Sequence, residues 1–98
     1  MRKRGGLEFR VSRLGLPLQG AQLELESLTE GDDLSAWIET GQVSLGNSAW
    51  KTDGQGAVRF IGAPEGLYRW GLPLVGDGLS GQVELVGGEV TEVTILVP

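Results

Sequence analysis

The stretch Thr52–Tyr68, T-D-G-Q-G-A-V-R-F-I-G-A-P-E-G-L-Y, constrains the fold more than any other part of the chain. It reads as a tight polar turn, a short strand over 57–61, a second turn and the start of another strand. Gly54, Gly56 and Gly66 stand where the backbone needs positive φ or a sharp reversal, and Pro64 presets a turn. Ala57, Val58, Phe60 and Ile61 supply the apolar, β-branched and aromatic character of a strand. No part of the stretch resembles a catalytic loop, so it speaks to architecture first.

The same two-residue period runs through the rest of the chain. Leu7, Phe9 and Val11 alternate with Glu8, Arg10 and Ser12, which predicts a first strand over 7–13 with one buried face. Ala21, Leu23 and Leu25 alternate with Gln22, Glu24 and Glu26 in a second. Residues 36–40 and 42–45 read as two short strands about Gly41, or as one bulged strand. Further strands are expected over 67–72, 82–86 and 89–97, with Gly87-Gly88 as a hairpin turn. In the last strand Thr91, Val93, Ile95 and Val97 share one face, while Val90, Glu92, Thr94 and Leu96 share the other. That second face is partly apolar, as for an interior strand or one covered by a partner. No window has a sustained helical period, and 17 glycines weigh against helices. The reading is an all-β chain: a seven- to eight-stranded antiparallel Greek-key β-sandwich of immunoglobulin or transthyretin type. A basic N-terminal arm over 1–6 precedes a single sandwich domain over 7–98. The segments G-L-P-L-Q-G at 15–20 and G-L-P-L-V-G at 71–76 echo each other, each followed by a similar strand (Q-L-E-L at 22–25, Q-V-E-L at 82–85); turn grammar repeating by chance is the favoured reading, a duplicated half-sandwich the alternative.

Gly20-Ala21 with Leu23 and Leu25, then Thr52-Asp53-x-x-Gly56-x-x-x-Phe60, then Gly66-x-Tyr68, resembles the carboxypeptidase regulatory-domain-like and Cna-B-like group. The resemblance spans roughly residues 15–97 and implies a transthyretin-type sandwich in which the T-D-x-x-G turn joins two strands. Asp53 would cap the turn with its side chain, Gly56 would take the left-handed conformation, and Phe60 and Tyr68 would pack into the core. The group consists mainly of spacers, stalks and adhesion modules. The Lys–Asn cross-link of many Cna-B-like domains is not carried over, since Asn47 is the only asparagine and none lies in the last strand. The transthyretin-like hydrolases rely on histidines, and this chain has none.

The chemistry on offer is narrow. With no His and no Cys, the usual general base and thiol nucleophile are absent, and none of the six serines sits in a G-x-S-x-G or S-x-x-K setting. Glu24/Glu26 and Glu8/Arg10 fall on solvent faces of strands, and Asp32, Asp33, Asp53 and Asp77 read as turn residues before they read as Ca²⁺ ligands. The expectation is a non-enzyme without cofactor or metal.

The charge is uneven. Arg2, Lys3, Arg4, Arg10 and Arg13 against Glu8 give residues 1–13 a net +4, and three basic residues against twelve carboxylates give 14–98 a net −9. An acidic body repels nucleic acid. Arg2, Lys3 and Arg4 are therefore candidates for an arm that meets the acidic face of another copy or of a larger protein assembly. Trp37 and Trp50 are candidates for an aromatic platform that stacks on sugar rings or anchors a partner, while Trp70, in phase with Tyr68, is expected in the core. No membrane span is present and no apolar segment follows the basic start. The chain thus reads as made inside the cell or as an excised domain. The leading functional expectation is a non-catalytic subunit of a larger assembly, with a phage virion component (decoration, tail or neck protein) as one form. The alternatives are a carbohydrate- or ligand-binding module and a spacer in a secreted multidomain protein.

Overall fold

A computed structural model describes residues 3–46, 50–75 and 78–98. Along the chain it contains β1 (Arg4–Arg13), β2 (Leu16–Pro17), β3 (Glu24–Ser27), α1 (Leu34–Glu39), β4 (Ser44–Leu45), β5 (Ala57–Pro64), β6 (Gly66–Leu72), β7 (Leu79–Leu85) and β8 (Val90–Val97). The strands form two sheets. One has β1 at its centre, flanked by β5 and β2 on one edge and by β8 on the other, with β4 beyond β5. The second runs β3-β6-β7. All pairs are antiparallel except β1 with β8, which run parallel from Gly6 beside Val90 to Arg13 beside Val97.

The core lies between the sheets and takes the alternate residues that the sequence pattern singles out. Leu7, Phe9, Val11, Leu23, Val58, Phe60, Tyr68, Leu72 and Leu85 are all buried. Phe9 and Phe60 meet edge to face, with centroids 6.0 Å apart and planes at 89°, a favoured arrangement for two π-systems. Each such ring removes enough apolar surface from water to stabilise the fold by roughly 1.5–3 kcal/mol.

Two expectations are corrected. Residues 36–40 were expected to be extended, yet α1 covers Leu34–Glu39. Asp33 stands at its N-cap and its Oδ1 accepts from Ala36 N–H at 3.1 Å. Leu34, Trp37 and Ile38 then turn to the core at i, i+3 and i+4, the spacing of a helical stripe. The first strand begins at Arg4 and not at Leu7, so Arg4, Gly5 and Gly6 of the expected 1–6 arm are strand residues paired with β5. Gly5 is required there, because a Cβ would sit 2.6 Å from the Glu89 carbonyl oxygen.

Candidate functional site

The T-D-G-Q-G turn is a fastening. Asp53 Oδ1 accepts from the Gln55 N–H at 2.8 Å and the Ala57 N–H at 3.0 Å, and these two donors hold its carboxyl below the usual carboxylate range. Gly56 takes φ +74° and packs so closely that a Cβ would run into the Val11 carbonyl oxygen. Thr52, the only polar residue among the buried ones described, accepts from Ala21 N–H at 2.9 Å and donates to the Leu18 carbonyl at 2.5 Å. One motif thus ties the start of β5 to the segment leading into β3. Tyr68 lies fully buried and its hydroxyl donates to the Pro64 carbonyl at 2.7 Å, bracing the β5–β6 hairpin.

Glu8, Glu26, Asp32 and Asp33 also have structural partners. Glu8 contacts Arg10 at 2.6 Å and Arg59 at 3.3 Å, Arg10 reaches Glu92 at 3.7 Å, and Glu26 pairs with Arg69 at 2.6 Å. Asp33 caps α1, and Asp32 Oδ2 accepts from Ser27 Oγ at 2.9 Å. Asp77 lies outside the described residues. Among those described, no three Asp or Glu side chains converge as a metal cluster would require.

The basic candidates separate. Arg2 lies outside the described residues. Lys3 docks through its backbone, its carbonyl accepting from Glu65 N–H at 2.8 Å. Arg4 lies along the exposed surface of the sheet, its Nη1 donating to the Gly62 carbonyl at 2.7 Å, while its own carbonyl accepts from Gly88 N–H at 2.9 Å. The guanidinium therefore clamps the end of β5 beside the β7–β8 turn.

The aromatic candidates separate too. Trp37 on α1 and Trp50 are partly buried against the core, and Trp50 lies 5.5 Å from Phe60. Trp70, expected in the core, is partly buried and lines an open groove of about 640 Å³ with Glu24, Arg69, Pro73 and Ser80. Its indole occupies the space a side chain at Gly81 would fill, 2.7 Å from that Cβ position. Alternation alone sends Trp70 inward beside Tyr68. The overlooked signal was a glycine within the facing strand, which marks a close approach.

A second apolar region gathers at one end of the sandwich. Leu14 and Gly15 form the β1–β2 turn, both with positive φ, and Leu14 at φ +53° is 89% exposed. A two-residue turn of this kind suits Asn-Gly, and a leucine there is strained. Leu16 is exposed beside it. Arg13 and Val97 at the ends of β1 and β8 share a groove of about 290 Å³ with Leu18, Leu74 and Val75. The two echoing G-L-P-L segments thus flank one groove.

No protein-family model matches the chain, and no curated protein matches it in sequence. Solved structures do. The minor pilin GBS52 of Streptococcus agalactiae superposes with TM-score 0.69 at 18% identity, over 99% of this chain and 45% of the pilin. A DUF3823 family protein from Parabacteroides merdae gives 0.62 at 19% identity, over 99% and 47%. A Pseudomonas aeruginosa protein proposed to bind carbohydrate gives 0.54 at 14% identity, over 97% and 89%. These likenesses establish the β-sandwich fold. The chain spans less than half the length of the first two.

Proposed function

We propose that this chain is a non-catalytic structural or interaction module that serves as a subunit of a larger assembly. The observation that carries the reading is how the surface is divided. The carboxylates with geometry to act sit in turn caps, a helix cap and ion pairs, whereas Leu14, Leu16, Leu74 and Leu96 stand in solvent near one end. Clustered exposed apolar side chains on a rigid frame suit contact with a protein. The strained Leu14 strengthens the reading, since an unfavourable backbone at an exposed apolar tip points to a use for that tip. A fold shared with a pilin subunit is in keeping with such a role. A phage head, tail or neck subunit is one form of the assembly, and a spacer in a secreted multidomain protein is another.

The test is native size exclusion with light scattering on extract from cells of origin expressing the tagged chain. A complex several times the monomer mass, shrinking when Leu14 and Leu16 become Ser, is the expected result. A monomer throughout would overturn the proposal.

A second reading, carbohydrate or ligand binding, rests on the Trp70 groove, where an indole edge lies among polar side chains. It predicts that a glycan panel alters tryptophan emission and that W70F abolishes the response. If no glycan shifts the emission, the groove is not a binding site.

A further inference from the structure

We infer that the free edge of β8 is a self-association surface, where β8 pairs antiparallel with β8 of a second copy about a two-fold axis at Val93. The inference rests on the interaction-module reading and names its partner. β8 hydrogen-bonds to β1 on one side, and among the described residues no strand pairs its other side. Because the Gly6 N–H bonds the Glu89 carbonyl, alternate residues from Glu89 onward turn their ladder groups to β1, and the N–H and C=O groups of Val90, Glu92, Thr94 and Leu96 face outward. Edge strands are normally blunted by prolines, bulges, lysines or inward charges. β8 has none of these, and Glu92 is its only charged residue. The edge of the second sheet is different: β7 turns Ser80, Gln82 and Glu84 outward.

The pattern on β8 is self-complementary in one register. Pairing two copies about Val93 sets Val90 opposite Leu96 of the second copy, Thr91 opposite Ile95 and Glu92 opposite Thr94. Inner and outer faces stay in phase across the junction, as the two-residue period demands. Val90 and Leu96, 70% and 74% exposed, are the two large apolar side chains on the outer face of this strand, and this register alone opposes them directly. Cross-strand apolar pairs of this kind are the unit of sheet stabilisation.

Charge agrees with the same register. Glu92 is kept from its own symmetry mate, where like charges would face each other. Because Arg10 lies beside Thr94, each Glu92 falls in one row with Thr94 and Arg10 of the second copy. Two strand spacings, about 10 Å between Cα atoms, separate that Glu and Arg, within reach of two long side chains. A junction of seven residue pairs is smaller than a standard interface, so the dimer belongs to the weak, concentration-dependent class.

Sedimentation velocity of the purified chain from about 10 µM to about 1 mM spans that class. Three proteins are compared: the native chain, V90K/L96K and V90K/L96E. Both positions are exposed on the outer face, and near-native melting of each variant confirms that it folds. The native chain is expected to shift from monomer to dimer across the range. V90K/L96K places lysine opposite lysine and should reduce dimer at least tenfold. V90K/L96E places lysine opposite glutamate in this register only, and should restore dimer at low salt and lose it at high salt. A native chain that stays monomeric at the highest concentration overturns the inference. So does a dimer indifferent to V90K/L96K, which would place the contact elsewhere, for instance at the Leu14 tip. In either case a large complex in native extract leaves the module reading standing, so the two failures are distinguishable.

Discussion

Replacing Thr52 by valine removes one oxygen and leaves the shape of the side chain almost unchanged. In the native fold that oxygen accepts from Ala21 N–H at 2.9 Å and donates to the Leu18 carbonyl at 2.5 Å. Ala21 is 8% exposed, so its N–H has no water to turn to once the hydroxyl is gone. An orphaned buried donor costs about 1–3 kcal/mol, and losing the bond to the more accessible Leu18 carbonyl adds up to about 1 kcal/mol. The two together predict a loss of about 1–4 kcal/mol for T52V, with a midpoint of about 2.5 kcal/mol. The fold should survive, because the backbone links Thr52 N to Ala21 O (2.9 Å) and Gly20 N to Thr52 O (3.0 Å) hold the segments in register. For a domain of this size the melting temperature should drop by roughly 10–20 °C. Serine keeps both hydrogen bonds and loses only a methyl group, about 1 kcal/mol. Equilibrium urea unfolding read through the tryptophans, with an unchanged m-value, measures both variants. A T52V protein within about 0.5 kcal/mol of the parent would refute the reasoning. If T52S were as damaged as T52V, the methyl group and not the hydroxyl would be responsible.

Three more outcomes follow from neighbouring residues. G56A should destabilise by at least about 2 kcal/mol, since it combines φ +74° with a Cβ driven against the Val11 carbonyl; a near-native urea midpoint would contradict this. Asp53, whose carboxyl is held below its usual value by the Ala57 and Gln55 N–H groups, contributes stability that is fully present above the ordinary carboxylate pKa. That contribution fades as pH falls through the lowered folded value, so D53N should flatten the acid limb of the stability profile, and an identical slope in both proteins would refute the assignment. G81A takes space that the Trp70 indole occupies, so the ring should swing outward and tryptophan emission shift to the red; unchanged emission would show that the ring has another place to go.

The opening motif was legible because its information is local. Asp53 reaches N–H groups two and four residues ahead, Gly56 needs a conformation its neighbours cannot adopt, and Phe60 and Tyr68 fall in phase with the pleat. Alternation likewise marked Leu7, Phe9, Val11, Leu23 and Leu25 for the core. Helix α1 was readable in principle from Asp33, Leu34, Trp37 and Ile38. Six residues are too short for the helical period to stand out in a chain with so strong a period of two.

What remained hidden is what depends on partners distant in sequence. Arg4 reads as part of a free arm until Gly62, 58 residues away, supplies the carbonyl it clamps. Trp70 reads as core until Gly81 is found in register with it and leaves the indole at a groove. The apolar outer face of β8 suggested an interior strand or a covered one, and which edge is open follows only from the parallel pairing of β8 with β1. By itself the sequence determined strands, turns and the composition of the core, because side-chain period and turn chemistry act over a few residues. Sheet order, and with it the exposed edge, the grooves and the apolar end, was decided by tertiary structure, because hydrogen-bond pairing between strands far apart in the chain leaves no trace in either strand alone.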